Sequence, residues 1–256
     1  MIKKLLTNMG IGKEKVEPKT QSLNFSKGDN PGVLTSSISL KKQTARIVLE
    51  KKKLSGVTAR VGLVLDISGS MRKLYKEGVV QEAVERVLAV ASQFDDDGAM
   101  DVWIYDNEYS RLPAVTEKEL AGYIERSVLN NPNIHKFGRN DEPKVMEDVI
   151  NKYTKEDQEE TPAFVIFLND GGCKPGIKKF VVESSTQPIF WQFVGIGDGN
   201  FDTLRKLDTM GGRVVDNANF FHLQALEKIT DEELYDQLLD EFPMWLKEAK
   251  EKRIIR

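Results

Sequence analysis

The stretch Val61-Gly62-Leu63-Val64-Leu65-Asp66-Ile67-Ser68-Gly69-Ser70-Met71 decides the fold. A short, almost wholly apolar run stops at a carboxylate, which is how a strand buried on both faces reads. In the loop that follows, Asp66, Ser68 and Ser70 alternate, and Gly69 allows a sharp turn in which three oxygen side chains can converge. One carboxylate and two neutral hydroxyls form a hard-oxygen set, suited to Mg²⁺ or Mn²⁺ far better than to zinc or copper. Asp and Ser also favour turns and caps, so this loop alone is a weak signal. Its place between a strand and a helix strengthens it.

Downstream, strands and helices alternate. Gly78–Phe94 carries Val80, Val84, Val87, Leu88, Ala91 and Phe94 at helical spacing. That amphipathic helix is expected to stop at Asp95-Asp96-Asp97-Gly98. Asp101–Tyr105 reads as a second strand. Thr116–Val128 reads as a second helix, with Thr116 and Glu119 as its capping box. A polar loop, Asn130–Glu142, leads to a helix at Pro143–Tyr153. Phe164–Leu168 is the second fully apolar strand, and it ends at Asn169-Asp170-Gly171-Gly172. Lys178–Glu183 is expected as helix, Ile189–Val194 as strand, Phe201–Leu207 as a short helix and Arg213–Val215 as a last weak strand. Thr230 should cap the final helix with Glu233 as partner, and Pro243 should kink or divide it.

This order predicts an α/β fold, a doubly wound and mostly parallel sheet with helices on both faces. Ligands then bind at the carboxyl ends of the strands, at the switch point. Asp66, Asp106, Asp170 and Gly195–Gly199 stand at such ends, and Asp170 is the second carboxylate expected beside Asp66. Upstream, Ile38-Ser39-Leu40 and Ala45–Leu49 flank Lys41-Lys42-Gln43 and read as a small β-hairpin. The expected organisation is a flexible arm over 1–34, then one domain over 35–256 with the hairpin first and a helical tail last.

Composition narrows the function. The 256 residues hold one Cys and two His, which forbids an internal disulfide and a structural zinc site. With 37 Lys+Arg against 40 Asp+Glu there is no basic footprint for nucleic acid. The longest apolar run, Ala163–Leu168, is far below the roughly 20 residues of a membrane helix. Met1–Met9 has no signal-peptide core, so the cytoplasm is the expected location.

VGLVLDISGSM resembles the first strand and metal-ion-dependent adhesion site of von Willebrand factor A domains. FVIFLNDGG resembles the later strand that brings that family's second Asp, and IFWQFVGIG the strand after it. More narrowly, the chain is similar to the copine-like A domains of bacterial tellurite-resistance clusters, the TerF type. That similarity takes in SLKK, LEKKKL, FDDDGAMDVWIY and DEELYDQLLDEFPMWL, and covers roughly Ile38 to Ala249. The resemblance implies Asp66, Ser68, Ser70 and Asp170 as metal-site residues, with Mg²⁺, or Mn²⁺ or Ca²⁺, as the cofactor. It also implies a protein partner that supplies an acidic residue, drawn from other Ter-cluster proteins.

The family takes a further oxygen from a threonine in the long loop. Aligned on Gly138 and Pro143, this chain has Arg139 there, which offers no oxygen. Asn140 or Asp141 then substitutes, Asn140 being the ligand expected; otherwise the site is four-liganded and weak, or Arg139 lies over it and repels the metal.

Other candidates carry less. Gly195-Ile196-Gly197-Asp198-Gly199 lacks dinucleotide spacing and reads as a tight strand-to-helix turn. Cys173 could have its pKa lowered at a helix N-terminus, yet no His is placed beside it. His135 and His222 read as ordinary histidines, and Trp103 and Trp191 as core. An Asp-phosphatase needs an acid two residues after its nucleophile, where this chain has Ser68. The expected function is metal-dependent protein recognition without catalysis; the alternatives are a metal-free structural scaffold and a metal-dependent phosphohydrolase.

Overall fold

The computed structural model describes residues 31–94, 98–157 and 161–256, with side chains from residue 37 onward. The expected arm at 1–34 lies outside it except for its last residues, as does the helix stop expected at Asp95-Asp96-Asp97.

The middle layer is a six-stranded sheet of order β3-β2-β1-β4-β5-β6. The strands are β1 (Arg60–Asp66), β2 (Met100–Tyr105), β3 (Tyr109–Val115), β4 (Ala163–Asn169), β5 (Ile189–Ile196) and β6 (Ala218–Leu223). Neighbours run parallel except β2 and β3. The helices are α1 (Pro31–Lys51), α2 (Arg72–Lys76), α3 (Val79–Phe94), α4 (Glu142–Asn151), α5 (Ile177–Ser184), α6 (Asp202–Asp208), α7 (Asp231–Leu238) and α8 (Phe242–Glu251). This is the doubly wound α/β architecture expected. None of these helices is long and apolar enough to cross a membrane.

Each central strand divides its side chains between two cores. Val61, Leu63 and Leu65 of β1, with Phe164, Ile166 and Leu168 of β4, meet Val48, Val84, Leu88, Leu234 and Trp245 on one side. Val64, Val165 and Phe167 meet Val145, Val149, Ile177, Val181 and Leu204 on the other. Period-two division between two apolar layers produces the unbroken apolar runs of the sequence. Trp103 and Trp191 are buried, as expected.

Four elements differ from expectation. The hairpin at Ile38–Leu49 is instead part of the continuous helix α1. Ile38, Ala45, Val48 and Leu49 fall on one helical stripe and are buried, while Lys41-Lys42-Gln43 contains no residue that favours a tight turn. Tyr109–Val115 forms the edge strand β3, with only Leu112 and Val115 buried and with Pro113 tolerated at the edge. The helix expected at Thr116–Val128 shrinks to a π-helical turn at Glu125–Leu129. That segment is tied back to β3, where the Tyr123 hydroxyl donates to the Pro113 carbonyl at 2.5 Å. The last strand lies at Ala218–Leu223 rather than Arg213–Val215; Arg213 turns inward to the carbonyls of Met210 (3.1 Å) and Asp208 (3.0 Å).

The capping box at Thr230 and Glu233 forms, and Pro243 divides the tail, with α7 ending before α8 begins. The crossovers leave β1 toward one edge and β4 toward the other, so the switch point lies where Asp66 and Asn169-Asp170 end their strands.

Candidate metal centre

Asp66, the last residue of β1, is fully buried. Its Oδ1 accepts from the Ser68 backbone N–H at 2.6 Å, while its Oδ2 is buried without any hydrogen-bond partner. Burial pushes its pKa up to about 7, with the Asp170 and Glu142 carboxylates adding to the rise and the Ser68 bonds opposing it. The 3₁₀ turn Gly69–Met71 then folds the loop so that Ser68 Oγ lies 3.2 Å from Ser70 Oγ. Ser70 Oγ in turn donates to Asp170 Oδ1 at 2.9 Å. Asp66, Ser68, Ser70 and Asp170 therefore stand as one connected group across two strand ends.

The long loop closes the third side. Phe137 N–H donates to the Ile67 carbonyl at 2.8 Å, and Gly69 N–H to the Gly138 carbonyl at 3.0 Å. Asn140 donates from Nδ2 to the Gly171 carbonyl at 2.9 Å, and its Oδ1 is buried without a partner. Asp141 points away, paired with Lys174 at 3.0 Å. Arg139 is exposed and makes no ion pair with Asp66 or Asp170 among the described residues. Asn140 is thus held at the Asp170–Gly171 turn, and Asp141 by Lys174.

Two unpartnered buried oxygens, on Asp66 and Asn140, in a set of carboxylates, hydroxyls and an amide suit a hard divalent cation. Among the described residues no three His, Cys, Asp or Glu side chains converge as ligands, so any such ion would lean on the neutral oxygens.

Three supporting residues were given no role at the site by the sequence. Glu142, the first residue of α4, is fully buried; its Oε2 accepts from the Lys174 backbone N–H at 3.2 Å and its Oε1 has no partner. Burial holds its carboxyl above the usual range. Asp106, after β2, is buried and accepts from Glu108 N–H at 2.9 Å and Gly138 N–H at 2.8 Å. His135 Nδ1 lies 2.7 Å from its Oδ2, and this bond raises the imidazole pKa. Asp106 thus positions the loop that carries Asn140; its place at a strand end was the available signal. Gly138 sits so close that a Cβ there would come 2.9 Å from Asp106 Oδ2.

Cys173 is buried, and burial beside Glu142 raises its thiol pKa, the reverse of the lowering considered from sequence. His222 contacts the Gly197 carbonyl at 2.5 Å. The Gly195–Gly199 loop is a tight turn: a Cβ on Gly199 would overlap the Asp170 carbonyl oxygen at 1.7 Å, so glycine is required there.

Comparison with known proteins bears on the family and the fold. The protein named "Uncharacterized protein YcbR" of Bacillus subtilis (strain 168) is 63% identical over 221 residues, covering 86% of this chain and 91% of its own. Among solved structures, proximal thread matrix protein 1 of the mussel byssus superposes with a TM-score of 0.54 in its second crystal form, at 16% identity over 72% of this chain. A further structure of that protein gives 0.50 at 13% identity over 75% of this chain. This chain spans 48% and 47% of those mussel chains, about half their length, and the likeness bears on the fold alone. The profile of the vWA-TerF-like family, described as the vWA found in the TerF C terminus, matches residues 58–255, and the chain belongs to that family.

Proposed function

We propose that this chain is a divalent-cation-dependent protein-interaction module, working without catalysis. Asp66, Ser68, Ser70, Asn140 and Asp170 would hold the ion, Mg²⁺ first and Mn²⁺ or Ca²⁺ as alternatives. The observation that carries this reading is the buried, unpartnered Asp66 Oδ2 beside the Ser68–Ser70–Asp170 chain of contacts. When bound, the ion would present an electrophilic position to a carboxylate of the partner. The protein's own part is to orient the donors: Asp106 fixes the loop at Gly138, and Asn140 is held against Gly171. The partner in this reading is a cytoplasmic protein of a tellurite or stress-response cluster, a proposal that follows the resemblance to TerF-type domains.

A hydrolase finds less support, since Ser68 stands where a phosphatase needs its second acid and the Cys173 thiol is buried. The second reading is a metal-free scaffold, in which the 2.9 Å bond from Ser70 to Asp170 joins the two strand ends. Calorimetric titration of Mg²⁺ and Mn²⁺ into wild type and Asp66→Ala separates the readings. Heat in the wild type that vanishes in the variant supports the module; silence in the wild type overturns it.

A further inference from the structure

Two arginines stand at the rim of the centre, and neither is neutralised. Arg139 is exposed, and only its backbone N–H is engaged, donating to Asn107 Oδ1 at 3.3 Å. Both its neighbours are fixed to the ligand-bearing loops. The Gly138 carbonyl accepts from Gly69 at 3.0 Å, and Asn140 Nδ2 donates to the Gly171 carbonyl at 2.9 Å. Arg139 is therefore held at the seam between the Ser68–Ser70 turn and the Asp170 turn.

Arg72 follows Met71 on the same turn and is also exposed. Its guanidinium carbon lies 4.1 Å from the centroid of the Phe137 ring. Neither guanidinium makes a hydrogen bond or ion pair among the described residues. The segment that joins them is rigid. Phe137 has φ +66°, an unfavourable conformation for an aromatic residue, and it persists because its neighbours brace it. One brace is its N–H bond to the Ile67 carbonyl at 2.8 Å; the other is the edge of the Tyr75 ring, 6.2 Å between centroids. Nearby, Lys174 is already engaged by Asp141, whereas the two guanidiniums are open to an incoming acid.

A guanidinium presents a planar fork of donors that matches a carboxylate with two parallel bonds. An arginine already stacked on a ring loses less freedom when it binds. We propose that Arg139 and Arg72 are a second anchor beside the metal, and that the partner docks through a segment bearing two acidic side chains. One acid takes the open metal position and the other takes the arginine forks. This inference rests on the metal-dependent reading above and adds to it the chemistry of the partner.

The test uses the full chain and fluorescein-labelled Gly/Ser peptides with either one Asp or two Asp residues at spacings of one to three, read by fluorescence polarisation in saturating Mg²⁺. The best two-acid peptide is expected to bind about fivefold tighter than the one-acid peptide, the gain of a well-formed exposed pair. Arg139→Ala should abolish that gain and leave the one-acid peptide and the calorimetric Mg²⁺ affinity within about twofold of wild type. Arg139→Lys, which keeps the charge without the fork, should recover only part of it.

Equal binding of one-acid and two-acid peptides overturns the inference, as does equal loss of both in Arg139→Ala. Displacement of the two-acid peptide by an equal concentration of inorganic phosphate also overturns it, in favour of a free-anion site. If wild type binds no Mg²⁺, the metal reading fails. The same comparison in EDTA then decides the arginine anchor alone: a two-acid preference lost in Arg139→Ala supports it, and no preference refutes it.

Discussion

Substituting Asp66 by Asn tests the electrostatics of the centre with the ion removed. In the metal-free fold, burial raises the Asp66 pKa from 3.8 to about 7, so the ionised carboxylate is a burden on the native state. At ~1.4 kcal/mol for each pH unit, that rise corresponds to about 4 kcal/mol when the group is fully ionised. The sign is fixed by linkage: the folded state binds the proton more tightly, so stability falls as pH rises from 3.8 toward about 7. Asn keeps an oxygen for the Ser68 N–H and exchanges one unpartnered polar atom, Oδ2, for another. Asp66→Asn should therefore gain roughly 2–4 kcal/mol over wild type at pH 8 in EDTA, and the gap should shrink steadily toward pH 4. Urea unfolding with linear extrapolation measures it. Saturating Mg²⁺ should close most of the gap, because only wild type gains from binding; an ion at a hundred times its Kd adds about 2.7 kcal/mol. A variant no more stable than wild type at pH 8 in EDTA, or a gap that does not narrow on acidification, refutes the reasoning.

Three further outcomes are expected. Burial, with Asp208, Asp216 and Asp240 nearby, pushes Glu241 up to about 7 from 4.5, so its charge weakens the fold as pH rises through that window. Because the group is partly exposed, Glu241→Gln should gain only about 1–2 kcal/mol at pH 8 and nothing at pH 4, and identical urea curves at both pH values would count against it. Gly138→Ala places a Cβ 2.0 Å from Asn107 Oδ1 and 2.9 Å from Asp106 Oδ2, and should cost about 1–3 kcal/mol and weaken Mg²⁺ binding in calorimetry. Thr230→Ala removes the cap of α7 at a cost of about 1 kcal/mol by thermal melting, while leaving Mg²⁺ affinity unchanged.

The central strands were legible because both their faces are buried, which leaves no polar residue inside FVIFL and only Gly62 inside VGLVL. β3 was not, since YSRLPAV turns most of its residues to solvent and carries a proline that only an edge allows. α1 misled for a different reason: its apolar residues cluster at both ends of a short window, and the helical stripe emerges only over the distance from Ile38 to Leu49. In the site, Asp66, Ser68 and Ser70 share one loop, so local spacing reveals them. Asp170 followed from its position after a strand. The expectation of Asn140 over Asp141 had no such local signal, because the contacts that separate the two, Asn140 with the Gly171 carbonyl and Asp141 with Lys174, are distant in sequence. The same holds for Glu142, whose burial depends on the Lys174 backbone, and for the pairing of Asp106 with His135.

Helix α1 packs on α3 and on α7, and Lys52 joins it to Asp236 at 3.1 Å and Asp240 at 2.8 Å. During synthesis α1 emerges long before α7 exists, so its apolar stripe stays partly uncovered until α7 leaves the ribosome. Closing so long a loop makes the docking of α1 on α7 a late event, and the waiting stripe is where a nascent chain would be held by a chaperone or would stick to its neighbours. The practical corollary concerns truncation. A fragment cut to the family-matched limits, 58–255, would remove Ile38, Ala45, Val48 and Leu49 from the core they share with α3 and α7, and is expected to be less stable than the longer chain.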